Sequence, residues 1–253
     1  MAEHKKIVTF AKNWNRMNLI VNPEYSHLRH WIKEIPSFFS TQGETIYKAR
    51  NEIKVFPTDA GVMVVKSFRI PHIINRFAYT FLRFSKAERS YEYSLKILQR
   101  GFQTPLPIAY IELFQSGLLS RSYYVSTHTD YLLMRNFSFN KALAGDDAEI
   151  LQAFARYTAR LHEKEIYPTD YSPGNILYKK EDGTIHFVLI DVNRMQFKKV
   201  TERMAYRSFS RMDFSIEMLD IVAREYALQR QMGVEKSIVE ITRLNLETMK
   251  KYR

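Results

Sequence analysis

The stretch "YPTDYSPGNILY", residues 167–178, decides how the rest of the chain is interpreted. Asp170 precedes Asn175 by five positions, and a Ser-Pro-Gly run between them breaks regular structure. Such an Asp–Asn pair is most often part of a turn, because both side chains can bond the nearby backbone. The same two side chains also suit an active-site loop. The polar residues elsewhere in the chain decide between the two interpretations, a turn and an active-site loop.

Composition limits the classes of protein that the chain can form. Its 253 residues are 45% hydrophobic and 26% charged, which is typical of one or two folded domains. The absence of cysteine excludes disulfides, thiolate catalysis and Cys-ligated zinc, and it fits a reducing compartment. No apolar run of about twenty residues is present, so membrane contact would be peripheral. Subtracting 27 acidic from 38 basic residues gives +11, which favours anionic partners.

The first half of the chain is patterned like a β-rich domain. The runs "TIYKARNEIKVF" and "VMVVKSF" predict a hairpin whose second strand ends near Lys66. "IAYIELF" and "RSYYVSTH" predict two more strands around a turn at Gln115–Ser116–Gly117. "SKAE", residues 85–88, is a capping box that begins a helix ending near Gly101. A further helix is predicted after Pro71. Residues 1–16 are polar and poorly patterned, and they predict a flexible extension.

The second half of the chain is mainly helical. "DDAEILQAFARYTARLHEKE" predicts an amphipathic helix with acidic residues at its N-terminal end, and His162 on it suits a core or capping residue better than a metal ligand. "KEDGTIHFVLID" predicts a hairpin, and the chain from about residue 213 predicts helices. We therefore predict an α+β, two-lobed fold with a cleft between the lobes. The N-lobe would be residues 17–134, with one αC-type helix, and the C-lobe residues 135–253.

Five polar residues stand in an order that suits phosphoryl transfer from ATP. Protein kinases use a strand-borne Lys for the phosphates, a helix-borne Glu that pairs with it, D-x-x-x-x-N in a catalytic loop, and a later Asp for metal. "DYSPGN" is D-x-x-x-x-N, and "LID" supplies the later Asp. Glu88 already serves the capping box, so Glu92, one turn further along the helix, is the better partner. The set is Lys66, Glu92, Asp170, Asn175 and Asp191.

The same comparison reveals departures from a regulated protein kinase. No G-x-G-x-x-G precedes Lys66, so other backbone, or Lys48 and Arg50, would have to cover the phosphates. Pro168–Thr169 stand where kinases often have His–Arg, Val192–Asn193 replace Phe–Gly, and no A-P-E follows. A peptide-docking activation segment is therefore not expected. A catalytically weak or inactive kinase-like scaffold stays open as an alternative.

The residues resemble those of the lipopolysaccharide core kinases, a protein-kinase-like family that phosphorylates Kdo or heptose in the inner core. The resemblance covers roughly residues 18–230, in "IYKARNEIKVF", "VVKSF", "RSYEYSLKILQRGFQTPLPIAYIE", "SYYVS", "DYSPGNILY" and "LIDVNRM". It implies ATP and Mg²⁺ as cofactors and a hinge near Met134–Phe137 that faces adenine. By this resemblance Asp170 is the catalytic carboxylate, Lys66, Glu92, Met134 and Arg135 bind the nucleotide, and Asn175 and Asp191 hold the metal.

The resemblance also gives the charge a meaning. Basic residues cluster around positions 69–89 and 198–211, and phosphorylated sugars or an anionic bilayer are natural partners for them. We expect a cytoplasmic protein with peripheral contact to the inner face of the membrane, and no nucleic acid partner. Two alternatives remain. A phosphotransferase for another small alcohol would keep the same site, and a nucleic-acid-binding protein would leave the ordered polar set unexplained.

Overall fold

The computed structural model describes residues 15–69, 83–138 and 140–251. They divide into two compact units. The first contains the described residues up to Tyr91 together with Pro107–Thr127, and the second contains Glu92–Leu106 and the described chain from His128 onward. Residues 1–14 of the predicted extension 1–16 lie outside the described residues, whereas Asn15 and Arg16 begin a strand. The helix predicted after Pro71 also lies outside them, apart from Arg83 and Phe84.

The first unit is built on a six-stranded antiparallel sheet with the order β1-β5-β6-β4-β3-β2. The predicted turn between β5 and β6 is present, with Ser116 and Gly117 at φ of 53° and 75°. Two adjacent residues in the left-handed region are typical of a tight hairpin. The strands are β1 (Asn15–Val21), β2 (Glu44–Lys48), β3 (Asn51–Thr58), β4 (Gly61–Phe68), β5 (Pro107–Gln115) and β6 (Leu118–Thr127).

Two elements at the start of the first unit were not predicted. β1 adds to the sheet by pairing with β5, with Leu19 opposite Ile111. Helix α1 (Arg29–Phe38) follows and buries Ile32 and Ile35 in a cluster formed by residues of β3, β4, β5 and β6. Burying one such side chain stabilises the folded state by about 1.5–3 kcal/mol. This apolar cluster is the core of the first unit.

Helix α2 (Lys86–Gln99) begins and ends as the sequence predicted. The hydroxyl of Ser85 accepts a hydrogen bond from the backbone N–H of Glu88 at 3.1 Å, as a capping residue does. Gly101, just beyond the helix, has a φ of 83°, the left-handed conformation that often follows a helix. The division between the two units falls within this helix, after Tyr91.

The second unit packs helices around one core and carries two small sheets. The predicted apolar face of the first of these helices is buried throughout, from Ile150 to Leu161. It packs with residues of the later helices, including Leu219 and Tyr226. No helix in the described ranges is long and apolar enough to cross a bilayer. The helices are α3 (Asp147–Glu163), α4 (Glu202–Ser208), α5 (Ile216–Gln229) and α6 (Val234–Met249).

The two small sheets of the second unit frame the stretch that contains Asp170. One has the order β10-β9-β7, and the other pairs β8 with β11. The predicted hairpin is β9 and β10, which meet at a turn over Asp182 and Gly183. The strands are β7 (Leu132–Leu133), β8 (Ile166–Pro168), β9 (Ile176–Glu181), β10 (Thr184–Leu189) and β11 (Met195–Phe197).

Candidate active site

The loop around Asp170 is tied at its start to the segment that follows β10. β8 pairs with β11 so that Pro168 lies opposite Met195. Beyond this pair, the backbone N–H and the hydroxyl of Thr169 both donate to the carbonyl oxygen of Arg194, at 3.2 and 2.6 Å. The pairing therefore fixes the loop and the residues after β10 against each other.

Asn175 stabilises the loop through hydrogen bonds to other residues of the loop. The loop makes a 3-10 turn over Pro173–Asn175, in which the backbone N–H of Asn175 donates to the carbonyl of Ser172 at 2.9 Å. Its side-chain Nδ2 donates to the backbone carbonyl of Asp170 at 2.9 Å, and its own carbonyl accepts from the N–H of Ile190 at 3.0 Å. Because the amide nitrogen is used within the loop, the Oδ1 oxygen is the atom that could face a cation.

Asp191 stands at the end of β10 in an unusual backbone conformation. Its φ and ψ are 54° and 47°, in the left-handed region, which Asp tolerates better than most residues. The buried side chain of Asn193 donates through Nδ2 to Oδ1 of the Asp191 carboxylate. A local hydrogen bond thus holds a carboxylate on a strained turn, an arrangement that is concentrated at functional sites.

One depression in the second unit brings three predicted site residues together. Asp170, Asn175 and Asp191 all line it. Two carboxylates and an amide oxygen suit Mg²⁺, which usually takes one or two carboxylates and completes its shell with water and substrate phosphates. In residues 15–69, 83–138 and 140–251 no group of three or more metal-type side chains is present. The two carboxylates and the amide oxygen fit a Mg²⁺ ion whose remaining ligands are water or phosphate oxygens.

Two arginines hold the Asp170 carboxylate. Nη1 of Arg211 contacts Oδ1, and Nη1 of Arg194 lies 3.4 Å from Oδ2. The Arg194 and Arg211 side chains are 49% and 39% exposed, and that of Asp170 is 23% exposed. Exposed ion pairs are worth about 0–1 kcal/mol each, so a ligand could rearrange them at small cost.

Neither arginine was predicted as a site residue. Arg211 entered the sequence interpretation only within a basic cluster, and Arg194 only within "LIDVNRM". Their positions depend on the β8–β11 pairing and on the fold of the chain after α4. One local feature could have indicated Arg194: it follows Asp191 by three residues, and the 3-10 turn over Val192–Arg194 begins directly after Asp191.

The segment that carries Arg211 is anchored to α6. Asn245 of that helix is buried, and its Nδ2 donates to the carbonyls of Phe209 and Met212, at 2.8 and 2.7 Å. A buried carbonyl left without a partner is costly, so these two bonds favour one path for the chain. Arg211 lies between the two anchored residues.

A buried tyrosine anchors the Asp170 loop to α3. The hydroxyl of Tyr171 shares a hydrogen bond with that of Thr158 at 2.9 Å, and its ring stacks on Phe154 with centroids 5.8 Å apart. Burial raises the pKa of Tyr171, so the phenol stays neutral. Asp170 therefore lies between a paired strand, β8, and a buried side chain that is hydrogen-bonded to α3.

His162 lies in the core, as predicted. Its Nδ1 is hydrogen-bonded to the Tyr226 hydroxyl at 2.7 Å and its Nε2 to the Ser208 hydroxyl at 3.2 Å. Burial, with a smaller contribution from the charge of Arg230, lowers the pKa of His162 from 6.5 to about 3. The neutral ring therefore joins α3, α4 and α5.

The predicted Lys–Glu pair lies on either side of the division between the two units. Lys66, on β4, is 8% exposed and lies opposite Ile53 and Tyr124, and its Nζ is 5.3 Å from the ring centroid of Phe68. Glu92 is half-buried on α2 and belongs to the second unit. The pairing of Lys66 with Glu92 stays a prediction.

The predicted hinge residues have different environments. Met134 is fully buried in the core of the second unit, so any contact between it and a nucleotide would have to use its backbone. Arg135 packs against the Asp170 loop, because a Cβ added at Gly174 would lie 2.5 Å from Nη2 of Arg135. Gly174 thus leaves room for that guanidinium.

Two solved structures match this chain over most of its length. The structure of WaaP in complex with acyl carrier protein matches with a TM-score of 0.62 at 14% sequence identity, over 92% of this chain and 97% of that chain. The Rio2 kinase from Chaetomium thermophilum, solved as an ADP/Mg²⁺-phosphoaspartate complex, matches with a TM-score of 0.49 at 14% identity, over 90% and 76%. No curated protein matches this chain by sequence. The α+β protein-kinase-like fold that the sequence predicted is confirmed.

A protein-family model matches part of the second unit. The model described as "Lipopolysaccharide kinase (Kdo/WaaP) family" matches residues 134–231, which contain Asp170, Asn175 and Asp191. The predicted resemblance is therefore confirmed: the protein is a kinase, related through this segment to the lipopolysaccharide kinases. The match supports a sugar kinase that uses ATP.

Proposed function

We propose that this kinase transfers the γ-phosphoryl group of ATP to a hydroxyl of a lipopolysaccharide inner-core sugar, Kdo or heptose. The observation that carries the proposal is the depression lined by Asp170, Asn175 and Asp191 within the segment that matches the family. A carboxylate for the acceptor and oxygen ligands for a metal are the parts that such a transfer needs in one place.

Asp170 is the residue that acts on the acceptor in this proposal. A sugar hydroxyl within about 2.6–3.2 Å of its carboxylate would be oriented for in-line attack on the γ-phosphorus, and its proton would pass to Asp170 late in the step. The bond to the leaving oxygen of ADP breaks as the new P–O bond forms. Most of the rate gain comes from positioning, because the phosphoryl group itself transfers with little covalent help from the protein.

The remaining predicted residues serve the nucleotide. Asn175 through Oδ1 and Asp191 through its carboxylate would hold Mg²⁺, which when bound neutralises charge on the phosphates. Lys66 would contact the ATP phosphates and pair with Glu92. The segment from Met134 to Phe137 would face adenine, with Met134 acting through its backbone and Arg135 bracing the Asp170 loop through Gly174.

We further propose that the protein works in the cytoplasm, at the inner face of the membrane. The exposed basic side chains after Asp191 support this, because Lys198, Lys199, Arg203 and Arg207 are all exposed on the second unit. Each basic side chain near an anionic bilayer contributes about 1 kcal/mol of attraction. Sedimentation with vesicles of neutral or anionic lipid at rising salt tests this part separately.

The acceptor is tested with labelled ATP and a panel of Kdo-lipid A, heptosylated core and a generic protein. Label incorporated into one of the two glycolipids, and absent from the protein, is the expected result. Binding of Mg-ATP with no transfer to any acceptor would contradict the proposal and favour a kinase-like scaffold. Transfer to a simple alcohol alone would favour a small-molecule phosphotransferase.

A further inference from the structure

We propose that Arg194 and Arg211 form an acceptor-binding pair that selects a sugar with an anionic group, a carboxylate or a phosphate, next to the accepting hydroxyl. The inference deepens the proposed function and rests on it, since it assumes that Asp170 faces the acceptor. It assigns a specificity role to two residues that the sequence pattern did not single out.

The first step of the argument is charge. Two guanidinium groups contact the Asp170 carboxylate, so the atoms around the proposed acceptor position include two cationic side chains. The Asp191 carboxylate lines the same depression, but under the proposed function that charge faces Mg²⁺. An anion beside the acceptor hydroxyl would be attracted by the two guanidinium groups. A cationic acceptor would be repelled.

The second step is reach. An acceptor hydroxyl bonded to Asp170 must lie within about 3 Å of a carboxylate oxygen that an arginine already contacts. Substituents one or two bonds from that hydroxyl therefore come close to the guanidinium groups. Each guanidinium has five N–H donors, and both side chains are more than a third exposed, so solvent and a ligand can reach both groups. Arginine also binds carboxylate and phosphate in a two-point geometry.

The third step is preorganisation. The carbonyl of Arg194 accepts two hydrogen bonds from Thr169, and the residues on both sides of Arg211 are bonded to Asn245. Backbone that is fixed before the ligand arrives lowers the entropy cost of binding. The side chains, in contrast, are held by exposed pairs that a ligand can exchange. A fixed backbone with guanidinium groups that can exchange partners suits a pair of ligand-binding arginines better than a pair with a purely structural role.

The experiment compares acceptors that differ only in charge. Kdo-lipid A is tested against its carboxyl methyl ester, and phosphorylated heptose core against dephosphorylated core, which distinguishes the two sources of the anion. The proteins are the wild type, Arg211→Gln, Arg194→Gln and the conservative Arg211→Lys. Arg224→Gln is the matched control, because Arg224 also pairs with an aspartate at 3.4 Å, on the surface of α5. The readouts are kcat and KM for transfer, and binding of the acceptor by calorimetry.

Neutralising the correct acceptor should raise the wild-type KM by about 10- to 100-fold, the scale of one lost hydrogen bond to a charged group. Arg211→Gln should raise KM for the charged acceptor by a similar factor and abolish the preference, with Arg211→Lys in between and Arg224→Gln unchanged. An equal fall in kcat on charged and neutral acceptors would overturn the inference and assign the arginines to the transferred phosphoryl group. An unchanged KM would also overturn it.

The binding readout separates this inference from the proposed function. Wild-type protein that binds the charged acceptor but transfers nothing would contradict the proposed function only. Loss of that binding in Arg211→Gln would then still support the acceptor-binding pair. Wild-type protein that neither binds nor phosphorylates any of the charged acceptors would overturn both.

Discussion

The buried His162 gives a prediction whose size follows directly from the structure. Its ring is neutral in the folded protein because burial lowers its pKa from 6.5 to about 3. The unfolded chain takes up a proton on this ring below about pH 6.5, whereas the folded chain does so only near pH 3. The group therefore contributes stability above pH 6.5, and that stability is lost as the pH falls toward 3.

The slope in that window is about 1.4 kcal/mol per pH unit, so the loss between pH 7.5 and pH 5 is about 2 kcal/mol. The assay is urea unfolding followed by circular dichroism, for the wild type and for His162→Gln. We expect the variant to be less stable at pH 7.5, because the hydrogen bonds to Tyr226 and Ser208 are weakened. The difference between the two proteins in the free energy of unfolding should shrink by about 2 kcal/mol at pH 5. His30→Gln, at an exposed histidine of α1, controls for the loss of one ring. A gap that stays constant with pH would refute the reasoning.

Three further predictions concern the proposed metal ligand, the segment that carries Arg211 and the packing of the first unit. Asp191→Ala should lose Mg-ATP binding, and calorimetry that finds wild-type affinity would reject Asp191 as a metal ligand. Asn245→Ala should lower the free energy of unfolding by about 2–4 kcal/mol, because the carbonyls of Phe209 and Met212 lose their donor; a smaller change in urea unfolding would mean that those carbonyls find other partners. Gly43→Ala should lower the melting temperature more than Gly183→Ala does. Both glycines have a positive φ, which destabilises alanine by about 1–2 kcal/mol. Only at Gly43 would the new Cβ also contact a ring, that of Phe56, at 2.5 Å. Equal melting temperatures for the two variants would contradict the steric argument.

Much of the fold could be predicted because it depends on local signals. The Ser85 cap, the turn at Ser116 and Gly117 and the apolar face of α3 are each written within a few residues. β1 and α1 escaped prediction for the opposite reason. β1 gains its pairing from β5, about ninety residues away, and α1 gains its stability from a face buried against several strands. A partner that is distant in sequence leaves no local pattern.

The candidate site shows the same contrast. Asp170, Asn175 and Asp191 could be found because the D-x-x-x-x-N spacing and the strand before Asp191 place them in a short part of the chain. Arg211 could not be assigned, since it is 41 residues from Asp170 and its position depends on hydrogen bonds from Asn245. The sequence did not show that the side chain of Met134 would be buried in the core, and its predicted contact with adenine stays a prediction.

The central claim is that Asp170 orients the acceptor hydroxyl and receives its proton. The most direct test is the rate of phosphoryl transfer by purified Asp170→Asn, measured with an acceptor that the wild type phosphorylates, beside its Mg-ATP affinity and its unfolding curve. The account predicts a fall of about 10²- to 10⁴-fold in kcat, with folding and Mg-ATP binding nearly unchanged. Transfer at the wild-type rate by the folded variant would contradict it.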